Sequence, residues 1–179
     1  MDASENAVEH VQEEIVERAH ESTESWILGV ALSAAILAVL AAITSLLSEH
    51  RANEAMIDQI QVADQWNFYQ AKGIKLHLLS TRIELLTALD RPTDKKDLAK
   101  LDEYRHDQEK IKAAAEEKQK ESESLLQQHV VLSRGVTMYQ VAIAIGAISV
   151  LTNRRKFWYL ALAFGVVGTY FLVAGLLTA

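Results

Sequence analysis

The sequence predicts an all-α membrane protein with three transmembrane helices and a long antiparallel helical-hairpin (coiled-coil) stalk between spans one and two. Three stretches carry no charged residue, namely residues 26–47, 135–153 and 157–179. Each is close to the ~20 residues that a helix needs to cross a hydrocarbon layer of about 30 Å. The polar stretch between the first two has one strong turn signal, at residues 90–93.

Membrane insertion explains these apolar stretches better than burial in a protein core. A chain of 179 residues cannot enclose three such helices within itself. The first stretch is not expected to be a cleavable signal peptide, because it is long, follows an acidic segment and lacks a small-residue cleavage site. The chain has no Cys, so disulfides are excluded.

Residues 1–25 form an acidic tail with eight acids against a single Arg. A helix there would be amphipathic and suited to docking on a partner, through Val8, Val11, Ile15 and Ala19. One face of that helix could hold a divalent metal, through Glu13, Glu17, His20 and Glu24. A solvated acidic helix is the simpler interpretation of this face, so no metal site is predicted.

Residues 48–134 are predicted to form the hairpin. Pro92 disfavours a helical residue before it, and Thr93 can cap a new helix. The turn leaves arms of equal length, residues 48–89 and 93–134, which return to the same membrane face. Neither junction with a span contains Pro, so each arm is expected to continue its neighbouring span as one helix.

The two arms have unequal apolar surfaces. In the first arm, a coiled-coil seam at 3-4-3 spacing consists of Leu76, Leu79, Ile83 and Leu86. A second row lies beside it, at Ile74, Leu78, Leu85 and Leu89. The second arm has fewer apolar residues and a highly charged middle. A narrow seam cannot cover a broad face, so the surplus apolar face of the first arm needs another partner.

Three aromatic residues, Trp66, Phe68 and Tyr69, stand within four positions of the polar first arm. Positions 66 and 69 can share a neighbour, whereas position 68 turns away from them. A second copy of the chain is the preferred neighbour for Phe68. The alternatives are that the aromatics close the hairpin within one chain, or that they form a platform for a ligand. Gly73 would permit close approach of another helix.

Small residues recur at helix-packing intervals in all three spans. They are Ala34, Ala38 and Ala42 in the first, Ala142 and Gly146 in the second, and Ala161, Gly165 and Gly168 in the third. No Asp, Glu, Lys, Arg or His lies inside a span, which disfavours a charge-coupled transporter. A passive pore built from several copies stays open as an alternative, lined by Ser33, Thr44 and Ser45.

A basic link joins spans two and three and predicts the orientation. It consists of Arg154, Arg155 and Lys156, and short basic loops stay in the cytoplasm. The acidic tail then lies on the same side, and the hairpin lies on the opposite side. Trp26, Trp158 and Tyr159 are expected to form an aromatic belt at the cytoplasmic interface.

Two stretches of the chain resemble a bacterial membrane family known only as a domain of unknown function. They read HRANEAMIDQIQVADQWNFYQAKGIK and VTMYQVAIAIGAISVLTNRRKFWYLALAFG. The most specific part is a core made of Asp64, Gln65, Trp66, Tyr69, Gln70, Ala71, Lys72, Ile74 and Lys75. The resemblance implies a bacterial inner-membrane protein with three spans around a helical hairpin. It implies no activity.

The sequence contains no feature that predicts an enzyme. No two of the six His are three or four residues apart, and a phosphate-binding loop, a G-x-S-x-G motif and a Cys nucleophile are all missing. No cofactor, nucleic-acid partner or small-molecule substrate is expected. The preferred hypothesis is a non-enzymatic scaffold or accessory subunit in the bilayer that forms a homo-oligomer or binds a membrane-protein partner through its stalk. The predicted interface consists of Trp66, Phe68, Tyr69, Gly73, Leu76, Leu79, Ile83 and Leu86. The alternatives are an oligomeric channel or transport component, and a sensor that uses the acidic tail.

Overall fold

The computed structural model describes His10, Glu13 and residues 25–177, so the tail's proposed stripe and most of its proposed metal face lie outside the described residues. The described chain is helical, which confirms the all-α prediction. The helices are α1 (Ser25–Ala88), α2 (Lys95–Thr152) and α3 (Arg155–Leu177). All three are long and apolar enough to cross a membrane.

Helices α1 and α2 run without a break through the predicted junctions between spans and arms. Helix α1 has 64 residues and α2 has 58, and neither contains Pro. Gly135 lies within α2 and does not interrupt it. A helix needs a specific cause to kink or stop, and these junctions contain none.

The turn after α1 is closed by hydrogen bonds of the Schellman type. The N–H of Arg91 donates to the carbonyl of Leu86 at 2.9 Å, and Asp90 takes the left-handed backbone conformation with φ 50°. Asp tolerates this conformation better than most residues with a side chain. The turn therefore falls at the Asp-Arg-Pro-Thr sequence.

The sequence predicts Thr93 as the N-cap of α2, and this prediction is wrong. The N-cap is Asp94. The backbone N–H of Lys96 donates to Oδ1 of Asp94 at 3.0 Å. Asp and Thr are both good caps, and the choice depends on which residue stands two positions before a free helical N–H. Here α2 begins at Lys95, which places Asp94 at that position.

The chain divides into two compact units. The apolar unit comprises Met1–Ala52 and Leu126–Ala179, and the hairpin unit comprises Asn53–Leu125. Helices α1 and α2 each contribute residues to both units, and α3 belongs to the apolar unit.

The core of the apolar unit consists of two clusters of buried side chains. The first contains Trp26, Ile27, Val30, Ala31, Ala34 and Val150. The second contains Leu37, Ala41, Tyr139, Ala142 and Ile143. Leu and Ile residues on the outward sides of the same helices are exposed.

The hairpin unit is an antiparallel pair of helices. Contacts between the arms join Ala55 to Ser122, Asp58 to Lys118, Lys72 to Asp107 and Arg82 to Asp97. Residue numbers rise along one arm as they fall along the other, which is the signature of antiparallel pairing. Few described side chains in this unit are fully buried, namely Ala55, Asp58, Leu101, Ile111, Ala115 and Ser122.

Candidate functional site

Two apolar rows follow α1 through the hairpin unit. The inner seam, which is Leu76, Leu79, Ile83 and Leu86, is half-buried. The outer row is 59–66% exposed and consists of Ile60, Ile74, Leu78, Leu85 and Leu89. Because successive residues are about 100° apart on a helix, the two rows lie on different sides of α1.

Helix α2 covers the inner seam and leaves the outer row open. The buried hydrophobic residues that α2 contributes to the hairpin unit, among those described, are Leu101, Ile111 and Ala115. These few residues form one narrow face, which can pack against only one side of α1. The outer row therefore corresponds to the surplus apolar face that the sequence predicts, with Ile60 extending it.

The three aromatic residues of the first arm fall into two environments. Trp66 and Tyr69 are half-buried and meet edge to face, with ring centroids 5.4 Å apart. Phe68 is 52% exposed. The ammonium group of Lys72 lies 5.8 Å from the centroid of the Phe68 ring and 5.0 Å from that of Tyr104. Both distances are within the range of a cation–π attraction.

An ion pair joins the two arms beside these aromatics. The Lys72 ammonium donates to Oδ2 of Asp107 at 2.6 Å. This hydrogen bond raises the pKa of Lys72 and holds the pKa of Asp107 below its usual range. The sequence resemblance includes Lys72, but no spacing rule indicates its partner, because the two residues belong to different arms.

The Lys72–Asp107 pair predicts how the stability of the hairpin depends on pH. The raised pKa of Lys72 gives a contribution that is present below about pH 10 and is lost as pH rises further. The lowered pKa of Asp107 gives a contribution that is present above about pH 4 and is lost as pH falls. We expect Asp107→Asn to lower the melting temperature at neutral pH and to flatten both slopes, as measured by circular dichroism.

The exposed Asp102 provides the matched control for this pH experiment. Its pair with Arg105 is a local contact within one helix, 3.7 Å long and well exposed. Such surface pairs contribute little to stability. Asp102→Asn should therefore keep the wild-type pH profile, and a profile of Asp107→Asn that matches it would contradict the expected role of the inter-arm pair.

Gly73 is the point of close approach between the arms in this region. A Cβ added at Gly73 would lie 2.7 Å from Nε2 of Gln108, a side chain of α2. The sequence predicted a close neighbour at Gly73, and the structure places the chain's own second arm there. Farther along, Ser122 Oγ donates to the carbonyl of Ala55 at 3.0 Å. Ser122 could not be found from the sequence, because an isolated Ser in a charged helix gives no signal of its partner.

The small residues predicted to pack the spans have different positions in the apolar unit. Ala34, Ala142, Gly146, Ala161, Gly165 and Gly168 are buried, Ala38 is half-buried and Ala42 is exposed. Each step of four residues turns a position by about 40° around the helix. After two such steps from Ala34 the buried face has moved on to Ala41, so Ala42 points outward within the single chain.

Most of the polar residues proposed as the lining of a pore contact neighbouring groups of the same chain. Thr44 is fully buried and donates to the carbonyl of Leu40 at 2.6 Å. Ser33 donates to the carbonyl of Val30 at 2.9 Å and accepts a hydrogen bond from the indole N–H of Trp158 at 3.1 Å. Ser45 is half-buried. Two of the three predicted lining residues are thus used in bonds within one chain.

The basic link has exposed side chains at Arg154, Arg155 and Lys156. The Arg155 guanidinium lies 5.5 Å from the centroid of the buried Trp26 ring. Trp158 is half-buried and packs over Gly29. Tyr159 is exposed, and its ring stacks against the ring of Trp158. Of the three aromatics expected in a belt, Tyr159 alone faces outward from the chain.

Among the described residues, no group of three His, Asp or Glu side chains could hold a metal ion. Residues 26–178 match the family model of a domain of unknown function, DUF4337. This match covers most of the chain, including the hairpin and the three apolar stretches. No curated protein and no solved structure matches the chain.

Proposed function

We propose that this chain, which belongs to the DUF4337 family, is a non-enzymatic integral membrane scaffold or accessory subunit that self-associates or binds a partner through its hairpin. The outer row is the observation that carries this proposal. Monomeric soluble surfaces rarely keep a long apolar row exposed, and such rows usually mark protein contacts. Phe68 is a further exposed apolar side chain of the same arm, on a different side of the helix from this row.

The energetics of pairing support self-association as the first possibility. Burying an exposed Leu or Ile side chain contributes roughly 1–2 kcal/mol. The outer rows of two copies would together contribute on the order of 10 kcal/mol by the same estimate, comparable with the ~4–15 kcal/mol cost of association. Membrane insertion restricts both copies to one plane and lowers that cost further.

The membrane part of the proposal is an inner-membrane protein of a bacterium with a cytoplasmic acidic tail and a hairpin on the opposite side. Three sufficiently apolar helices support insertion. The basic link supports the orientation, since short loops rich in Arg and Lys stay in the cytoplasm. The non-enzymatic part rests on the sequence, which lacks the nucleophile and phosphate-binding motifs named above.

Leu78 and Leu79 provide a matched pair of positions for testing self-association. They are neighbours in sequence, but Leu78 is in the outer row and Leu79 is in the inner seam. We expect Leu78→Ala/Leu85→Ala to lower the native mass of the detergent-purified protein while its melting temperature hardly changes. Leu79→Ala/Leu86→Ala should do the reverse, lowering the melting temperature and keeping the native mass. Native mass spectrometry and circular dichroism report the two quantities.

A wild-type chain that is monomeric would exclude self-association and leave a different protein as the partner of the outer row. An oligomer whose mass is unchanged by Leu78→Ala/Leu85→Ala would place the contact elsewhere. The oligomeric channel is a further proposal that needs the same self-association together with a polar path. Ion flux into liposomes carrying the assembled protein tests it, and no flux would end it.

A further inference from the structure

We propose that the basic link forms a binding site for the phosphate group of an anionic phospholipid. The site comprises Arg154, Arg155 and Lys156 together with the aromatic side chains beside them. This inference rests on the proposed membrane insertion and adds a ligand of stated chemistry. Four features of the apolar unit support it.

Positive charge in the described part of the apolar unit is concentrated and has little local compensation. Within residues 25–52 and 126–177 there are five Arg or Lys residues and a single acid, Glu49. Three of the five cations are consecutive, at Arg154, Arg155 and Lys156. Glu49 is 23 residues along α1 from Trp26, so at 1.5 Å per residue it is roughly 35 Å from the end that meets the link.

The backbone of the link is held in one conformation by hydrogen bonds. The N–H of Arg154 donates to the carbonyl of Ser149 at 3.1 Å, and the Ser149 hydroxyl donates to the carbonyl of Arg154 at 3.1 Å. Asn153 supplies the left-handed residue that the turn requires, with φ 52°. Arg154 therefore lies in a fixed turn, and Arg155 and Lys156 begin α3 directly after it. This arrangement lowers the entropy cost of gathering the three cations on one anion.

Trp26 orients the guanidinium of Arg155. The guanidinium lies 5.5 Å from the ring centroid, and Trp26 itself is only 7% exposed. A guanidinium stacked on an aromatic face still has N–H donors along its edge, in a fork that matches phosphate oxygens. Trp158 is fixed nearby by its bond to Ser33, and it supports the exposed ring of Tyr159.

Hydrocarbon-binding surface lies within about two helical turns of these cations. Leu28 on α1 is exposed, and so are Leu151 on α2 and Leu160 on α3. A cationic turn that is bordered by open apolar helix faces is complementary to an amphiphile with an anionic head and acyl chains. A free phosphate ion would use only the cationic part, so the combination favours a phospholipid.

The test compares lipid retention by the full-length protein in a mild detergent, measured by native mass spectrometry. The probes are phosphatidylglycerol and phosphatidylcholine with identical acyl chains. We expect phosphatidylglycerol to bind at least tenfold more tightly, and Arg154→Gln/Arg155→Gln/Lys156→Gln to remove most of this preference. Each cation near an anionic headgroup contributes enough for a loss of roughly tenfold to hundredfold.

Two further variants control for net charge and for folding. Lys95→Gln/Lys96→Gln/Lys100→Gln removes the same charge from exposed positions of the hairpin unit and should keep the preference. Arg154→Lys keeps the charge at the position without the aromatic stack and should retain most of the preference. A preference that survives in the link variant, or that falls equally in the hairpin control, would overturn the proposed site. Displacement of the lipid by an equal concentration of glycerol phosphate would overturn the phospholipid as its ligand.

Carbonate extraction of membranes separates failure of this inference from failure of the proposed function. Resistance of the wild-type chain to extraction, together with equal retention of the two lipids, would overturn the lipid site alone. Extraction of the wild-type chain into the soluble fraction would overturn the membrane insertion on which the site depends.

Discussion

Replacing Gly168 with Ala is expected to lower the free energy of unfolding of the detergent-solubilised protein by about 1–3 kcal/mol. A Cβ at this position would lie 2.8 Å from Cδ1 and 2.8 Å from Cε1 of Tyr139. Those atoms belong to a rigid ring that is fully buried, so the ring cannot swing aside as the end of a flexible side chain could. The Tyr139 hydroxyl also donates to Thr169 Oγ1 at 3.2 Å, which fixes the ring further.

Gly146 offers a control with the same chemical change in the same unit. A Cβ added there would meet Cγ1 of Val30 at 3.8 Å, which is ordinary van der Waals contact. Gly146→Ala should therefore be neutral or stabilising by up to ~1 kcal/mol, because Ala favours the helix over Gly. Thermal melting followed by circular dichroism compares the two variants. Equal melting temperatures would contradict the close packing of α3 against Tyr139.

Replacing Ser48 with Ala is expected to lower the free energy of unfolding by about 1–3 kcal/mol. Ser48 is 2% exposed, and its hydroxyl joins α1 to α2 at the end of the first apolar stretch. The Ser48 O–H donates to the carbonyl of His129 at 3.2 Å, and its Oγ lies 2.9 Å from His129 Nδ1 and 2.9 Å from Ser133 Oγ. Loss of this oxygen removes the contacts with the His129 carbonyl and with Ser133 Oγ in a place that water reaches poorly, and His129 Nδ1 keeps only its 2.9 Å contact with the Ser48 carbonyl.

Ser45 is the matched position for this second experiment. It precedes Ser48 by three residues on α1 and is half-buried, and no side-chain hydrogen bond joins it to the described part of the chain. Ser45→Ala should change the free energy of unfolding by less than about 0.5 kcal/mol. Denaturant titration in detergent gives both values. A Ser48→Ala variant as stable as Ser45→Ala would show that the three-residue contact does not hold the helices together.

Much of the helix layout could be predicted because it depends on local signals. Uncharged stretches of about 20 residues, a lone Pro and the lack of any other helix breaker are properties of contiguous sequence. The precise cap was missed because Thr93 and Asp94 are both good candidates. The choice between them depends on where α2 begins, and packing against α1 influences that position.

The candidate site was predictable only in part. Periodicity separated the inner seam from the row beside it, because residues one position apart fall on different faces of a helix. It could not pair Lys72 with Asp107, or Ser48 with His129, since these partners are far apart in the chain. The relative register of two helices is decided by how their side chains interlock.

The sequence by itself determined that this protein has three long apolar helices and a polar hairpin with more apolar surface on one arm than the other can cover. Charge, hydropathy and breakers act over one or two helical turns, so a linear pattern is enough to record them. Tertiary structure alone decided that Gly168 lies tightly against an aromatic ring and that Gly146 has room for a methyl group. It also decided which polar residues meet between helices. Those outcomes depend on distances between atoms of different helices. A change of a few tenths of an ångström decides whether such a contact is stabilising or destabilising.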